Sequence, residues 1–258
     1  MKLKDKVALV TGASAGMGRA IALKYAEDGA KVVAVARREN LLQELAEQAK
    51  SLPGEIAIFK GDLAQDDVIN KMIDIAIDKF GKLDILVNNA GIMDDFSPVE
   101  DVSDELWNNV MDINLNVPFK VLRKAVPVIA KNENGGSIII VSSIGGLRGG
   151  TAGAAYITSK HGVIGLMKAV AYTSLDKKIR CNAICPGAVN TDIGNSMQRL
   201  YPEGMHPVGS ALSFKGMNMS ARSGAPEEIA SLAVFLGSDD ASFITGAAIV
   251  ADGGWCAY

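Results

Sequence analysis

The sequence is short of the residues that mark several functional classes. It has 3 cysteines (Cys181, Cys185, Cys256) and 2 histidines (His161, His206) in 258 residues. An odd cysteine count with no Cys-x2-Cys pair excludes a disulfide framework and suits a reducing compartment, so a cytoplasmic location is expected. Neither histidine has an acidic partner at ligand spacing, and no metal is expected. No apolar run approaches the roughly 18 residues of a membrane span, so no membrane partner is expected either. The opening Met1-Lys2-Leu3-Lys4-Asp5-Lys6 lacks the apolar stretch and small-residue cleavage site of a signal peptide. Charge of one sign is lacking too: 26 Lys+Arg against 29 Asp+Glu leave a net charge of -3. That balance offers no electrostatic footprint for nucleic acid. Linkers, repeats and low-complexity tracts are absent, so residues 1–258 are expected to form a single domain.

What is abundant is apolar residues, 48% of the chain. They fall in short runs that alternate with longer helical patterns. Strands are expected at Val7 to Val10, at Lys31 to Ala36, and at about 55–60, 84–88, 137–142, 179–184 and 246–250. Helices are expected at Met17 to Glu27 and at about 40–51, 65–80, 103–131, 155–174 and 226–236. Strands such as Ile138-Ile139-Ile140-Val141 are apolar on both faces, as in a parallel sheet covered by helices on each side. Right-handed crossovers then build a doubly wound α/β sheet of the Rossmann type. The stretch at about 190–222 has no clear period and is rich in methionine (Met197, Met205, Met217, Met219). It is expected to be irregular and to serve as a lid over substrate.

The first strand runs into Thr11-Gly12-Ala13-Ser14-Ala15-Gly16-Met17-Gly18. Glycines let a backbone turn tightly and approach a pyrophosphate, and the helix that follows offers free N–H groups to the anion. Gly12, Ser14, Ala15, Gly16, Met17 and Gly18 are therefore candidate cofactor contacts. The second strand ends in Ala36-Arg37-Arg38, where an NAD site would carry an acid for the ribose 2′-OH. A carboxylate repels a 2′-phosphate, whereas a guanidinium binds it through charge-assisted bonds. Arg37 and Arg38 thus point to NADP(H).

Tyr156 and Lys160 stand four apart at the start of the helix expected at about 155–174, on one face. An ammonium beside a phenol favours the phenolate, so the Tyr156 pKa is expected to fall from about 10 toward working pH. Tyr156 could then exchange a proton with a reacting oxygen. Ser143 ends the strand Ile138 to Val141, at the carboxyl edge where open α/β sheets bind ligands. Its hydroxyl can support a developing charge. Pro118 lacks the N–H that would bond the carbonyl of Asn114, so a kink with a freed Asn114 carbonyl is expected there.

In this order and spacing the motifs resemble the short-chain dehydrogenase/reductase family over essentially the whole chain. The matching residues are TGASAGMG at 11–18, Asp62-Leu63, Asn88-Asn89-Ala90-Gly91, Asn114, Ser143, Tyr156-x3-Lys160, Pro186-Gly187 leading to Thr191, and Asp252-Gly253-Gly254. The resemblance implies a catalytic tetrad of Asn114, Ser143, Tyr156 and Lys160. Tyr156 would be the acid/base and also a cofactor contact, Ser143 would polarise the carbonyl, and Lys160 would tune Tyr156 and hold the nicotinamide ribose. The same resemblance places Asp62 and Leu63 beside adenine, and Asn89, Ala90 and Gly91 near the ribose. Pro186, Gly187, Val189 and Thr191 would lie on the carboxamide side. It further implies a homo-oligomer, a tetramer or dimer. The substrate pocket should be walled by Met93 to Pro98, Gly145 to Gly153 and Ala188 to about Met219, and it should admit a small-molecule ketone or secondary alcohol. A 3-oxoacyl thioester reductase and a non-catalytic NADP(H)-binding sensor are the alternatives.

Overall fold

Alternation within each strand decides the architecture. In β1 (Val7–Thr11), Ala8 and Val10 face one core, and Val7 and Leu9 face another. In β2 (Lys31–Ala36) the split is Val32, Ala34 and Ala36 against Val33 and Val35. In β5 (Gly136–Val141) it is Ile139 and Val141 against Ile138 and Ile140. A strand apolar on both faces must be covered on both. Each Val, Leu or Ile among these side chains, fully buried, contributes about 1.5–3 kcal/mol. The computed structural model describes residues 1–193, 197, 200–217 and 222–257.

These strands, with β3 (Glu55–Lys60), β4 (Ile85–Asn88), β6 (Ile179–Pro186) and β7 (Ala248–Ala251), form one seven-stranded sheet in the order β3-β2-β1-β4-β5-β6-β7. Every pairing is parallel. The chain reverses direction across the sheet between β1 and β4, so a crevice opens beyond their carboxyl ends. One core layer holds α1 (Gly16–Glu27), α2 (Glu39–Ala49) and a late helix, α8 (Pro226–Gly237). The buried Tyr25 hydroxyl ties α1 to α8 by donating to the Ala233 carbonyl at 2.8 Å. The other layer holds α3 (Asp66–Phe80), α5 (Val117–Ile129) and α6 (Ala154–Thr173). The result is the expected doubly wound, Rossmann-type α/β domain. Among the described residues no helix is long and apolar enough to cross a membrane.

The helix expected at about 103–131 is in fact two. α4 (Asp104–Met111) starts at Ser103, whose hydroxyl accepts from the Leu106 N–H at 3.1 Å. A π turn, Asp112–Asn116, then leads into α5. The Val117 N–H bonds back to the Asp112 carbonyl, five residues earlier. Pro118 explains the break, because it offers no N–H to continue the α-helical ladder. The expected irregularity at Asn114 therefore takes the form of a π turn that contains it.

The stretch at 190–222 also departs from expectation. It contains a regular helix, α7 (Pro207–Met217), led in by the His206 ring nitrogen, which accepts from the Gly209 N–H at 3.3 Å. The period is invisible because the polarity is inverted: Ser210 and Ser213 are buried, while Val208 and Leu212 are exposed. Residues 194–196, 198–199 and 218–221, with Met219 among them, lie outside the described residues, as does 258.

Candidate active site

The carboxyl ends of β1, β2 and β4 converge on the glycine-rich turn. Gly12 and Gly16 have φ values of 68° and 54°, in the region that side chains disfavour. A Cβ on Gly18 would lie 2.4 Å from both the Asn89 Nδ2 and the Gly12 carbonyl oxygen. The turn is thus closed by bare backbone. Asn89 clamps it, donating from Nδ2 to the Thr11 carbonyl at 2.9 Å. The Thr11 hydroxyl in turn accepts from the Asn89 and Ala90 N–H groups at 3.0 and 3.1 Å. Asn89, expected at the ribose, commits this amide group to the turn itself. No side chain caps the start of α1 at Ala15, so its first N–H groups remain available.

The two arginines after β2 differ. Arg37 is exposed, whereas half-buried Arg38 donates from Nε and Nη2 to the Ser14 hydroxyl at 3.2 and 3.1 Å. Arg38 thereby lies against the turn, with its Nη1 3.9 Å from the Asp192 carboxylate. Thr191 packs on the same turn: a Cβ on Gly16 would lie 3.1 Å from its side chain. Half-buried Leu63 packs on the core, and the Asp62 carboxylate accepts from the Ala64 N–H at 3.1 Å. Gly187, after Pro186, bonds the Ala251 carbonyl, and Val189 forms a short parallel bridge with Gly224. The glycine cradle, uncapped helix and neighbouring guanidinium fit a phosphate-bearing dinucleotide.

The second cluster lies at the ends of β4 and β5. Ser143 follows β5, and its hydroxyl accepts from the Gly145 N–H at 3.0 Å. The Tyr156 ring lies beside the same hydroxyl, which lowers the proton affinity of the phenol. A Cβ on Gly145 would lie 3.4 Å from both the Ser143 Oγ and the Tyr156 Cε1, so glycine keeps this gap open. Lys160, one turn along α6, has its ammonium 5.5 Å from the Tyr156 ring centroid. It donates to the Val141 carbonyl at 3.2 Å. Asn114, in the π turn, accepts from the Ile92 N–H at 2.9 Å and donates to the Ile92 carbonyl at 2.8 Å and the Ser159 hydroxyl at 3.2 Å. It stitches the segment after β4 to α6, with Gly91 packed against its carboxamide.

The proton affinities here differ from the sequence expectation. Burial pushes the Tyr156 phenol up to about 12, with the nearby Ser143 hydroxyl working against it. Burial also lowers Lys160 to about 8. The expected depression of the phenol is absent because both groups are buried and the ammonium lies over the ring, bonded to a carbonyl, instead of at the hydroxyl. Cys185 sits close to both, and burial raises its thiol to about 11, which makes it a small buried hydrophobe and not a nucleophile.

The family model for enoyl-(acyl carrier protein) reductases of the short-chain type matches residues 12–256. The chain belongs to the short-chain dehydrogenase/reductase family. It is 40% identical over 256 residues to 3beta-hydroxysteroid dehydrogenase 2 of Eggerthella lenta, covering 99% of this chain and 96% of that one. It is 38% identical over 269 residues to 3beta-hydroxysteroid dehydrogenase of Mediterraneibacter gnavus, covering 100% and 97%. The solved structure of levodione reductase superposes with a TM-score of 0.87 at 32% identity, covering 99% of this chain and 100% of that one. Members of the family use a nicotinamide dinucleotide, NAD or NADP.

In this short-chain dehydrogenase/reductase, two side chains at the site escaped sequence reasoning. Asp94 is buried and bonded to the Tyr156 N–H. Tyr201 donates to the Met93 carbonyl at 2.9 Å. Both lie within the expected pocket walls, yet their partners are 62 and 108 residues away, and no local pattern reports such contacts. Met93, Met197 and Ile157 pack with Phe96, Ala152 and Tyr156, which gives the pocket an apolar lining.

Proposed function

We propose that the protein is an NADP(H)-dependent oxidoreductase that interconverts a ketone and a secondary alcohol on a compact alicyclic or steroid-like substrate. The observation that carries this reading is the Tyr156 ring beside the Ser143 hydroxyl with the Lys160 ammonium 5.5 Å from its centroid, near the glycine-rich turn. A bound dinucleotide would supply or accept the hydride. Gly12 to Gly18, Arg38, Asn89 to Gly91, Pro186, Gly187, Val189 and Thr191 would hold it, with Asp62 and Leu63 bordering the adenine. Tyr156 passes the proton to or from the reacting oxygen. Ser143 donates to that oxygen as charge develops there. Lys160 holds the ribose and the electrostatics of Tyr156, and Asn114 fixes the π turn behind them. α7 covers the site, with the Phe214 ring 5.6 Å from that of Phe96. The exposed Phe119 on α5 and Tyr172 on α6 support a homo-oligomer packed through those helices, which sedimentation tests.

The substrate class rests on the apolar lining and on the two hydroxysteroid dehydrogenase relatives. A second reading, reduction of 3-oxoacyl thioesters, is favoured by a relative from Thermotoga maritima named 3-oxoacyl-[acyl-carrier-protein] reductase, 37% identical over 254 residues. A panel of 3-oxosteroids, cyclohexanone and 3-oxoacyl thioesters, each assayed with NADPH and NADH, separates the two. Activity confined to the thioesters overturns the first. Binding of NADPH with no turnover on any substrate favours a sensor.

The NADP(H) preference has its own test. Arg38→Ala is expected to weaken NADPH binding by about tenfold or more, the loss of one charge-assisted contact, and to leave NADH binding nearly unchanged. Equal losses for the two cofactors would remove Arg38 from 2′-phosphate recognition.

A further inference from the structure

We propose that Asp94 is a positioning residue for Tyr156, its carboxylate closing the amino end of α6 and tying to it the loop that follows β4. The inference rests on the reading of Tyr156 as the acid/base group. The Asp94 side chain is completely buried. One oxygen accepts from the Phe96 N–H at 3.2 Å and the Gly153 N–H at 2.9 Å, and the other from the Tyr156 N–H at 2.8 Å. Gly153 is the residue that precedes α6, and it has no side chain to cap the helix. Asp94 does this from 59 residues away. All three partners are donors, so they suit a carboxylate and leave nothing to accept from a protonated carboxyl.

The surroundings are shaped around that carboxylate. A Cβ on Gly153 would lie 2.5 Å from the Asp94 Oδ2. Phe96 takes a φ of 69°, a conformation that a bulky residue holds only when its neighbours enforce it. The same loop meets α7: the Asp95 carbonyl accepts from the His206 N–H at 2.7 Å. One carboxylate thus connects the pocket-covering helix to the backbone of the residue that moves the proton. Its charge also acts on the phenol directly, since Asp94 raises the proton affinity of Tyr156. The other titratable groups facing this pair are Asp95 on the same loop, Tyr201 after β6, Cys185 at the end of β6 and Lys160 on α6.

The test is Asp94→Asn, which keeps shape but removes the charge and turns a donor toward at least one N–H. Turnover of dihydrotestosterone and of cyclohexanone with NADPH is followed across pH, beside wild type and Tyr156→Phe. The expected result is a fall in kcat of about tenfold or more, as small misplacements of a reacting group produce. The KM for NADPH should not change, and the ionisation that governs kcat should move to lower pH. Unchanged kcat and pH profile overturn the proposal, and so does a loss of kcat with an unmoved profile. If Asp94→Asn does not fold, Gly153→Ala displaces the same carboxylate and is judged by the same readouts. Wild-type turnover in Tyr156→Phe overturns the acid/base reading and this proposal with it; if the native protein turns over neither ketone, the same comparison is made on the 3-oxoacyl thioesters, and no turnover on those either overturns both.

Discussion

Tyr156→Phe is expected to cut turnover by about 10²- to 10⁴-fold, the range that a positioned acid/base supplies. Its effect on folding should be small. The ring is buried and is retained in full. What disappears is one hydroxyl that faces Ser143, a change of no more than about 1 kcal/mol net. Ser143 still accepts from the Gly145 N–H, so its orientation is kept from the other side. The glycine-rich turn is clamped by Thr11 and Asn89, with no hydrogen bond from the phenol oxygen. Steady-state kinetics, a cofactor titration and a melting curve therefore give three separable answers: turnover lost, binding kept, stability nearly kept. A Phe variant with native turnover would take the proton transfer away from this residue. A variant that loses cofactor binding as well would place the phenol in the cradle instead.

Lys160→Met is expected to abolish most turnover and yet stabilise the protein at neutral pH. The ammonium is buried, and the Val141 carbonyl is its hydrogen-bond acceptor. Among the described residues no carboxylate lies within ion-pair distance of it. A buried charge without a counter-charge is costly, and that cost is the reason its pKa falls from 10.5 to about 8. The sign follows from linkage. Below pH 8 the lysine is charged in both folded and unfolded chains, and the folded state carries the whole penalty. Between about 8 and 10.5 the unfolded chain binds more protons, so stability rises with pH and the penalty disappears. At about 1.4 kcal/mol per pKa unit, the penalty is on the order of 3 kcal/mol. Methionine fills similar volume without charge, so the variant should melt higher at pH 7 by about 5–10 °C. Its advantage over the native protein should shrink between pH 8 and 10.5 as the native lysine loses its proton. Above about pH 9 both proteins should lose stability together, because the Cys181 thiol, the Cys185 thiol and the Tyr156 phenol hold their protons up to about 12, 11 and 12 only when folded. Thermal melts from pH 6 to 11 check this; equal curves for the two proteins would mean that the ammonium is solvated in the folded state.

Together these variants describe a site built at the expense of stability. Two groups whose charged forms water would favour are held out of water, so each is poised to respond to a partner. A phenol raised to about 12 and an ammonium lowered to about 8 are both closer to neutral than in solution. Preorganised, weakly solvated groups of this kind act more strongly on a developing charge than exposed ones do.

Much of this molecule was already determined by its linear pattern. Alternating apolar runs and 3.6-residue periods specified the strands and most helices, because burying both faces of a parallel sheet leaves a mark on every position. The glycine turn, Ala36 with the arginines after it, and the Tyr156–Lys160 spacing were legible because each is local: a backbone conformation, a neighbour in sequence, one turn of a helix. Pro118 announced a defect in its helix for the same reason, but not that the defect would be a π turn. Other features belonged to the tertiary structure alone. Only the fold brought Asp94 onto the amino end of α6, chose Arg38 over Arg37 for the Ser14 hydroxyl, and turned the serines of α7 inward. It also reversed the expected direction of the Tyr156 pKa, since the degree of burial around a phenol is set by segments far apart in the chain. Contacts across sixty or a hundred residues and the local dielectric leave no periodic trace in a sequence; they exist once the chain has closed on itself.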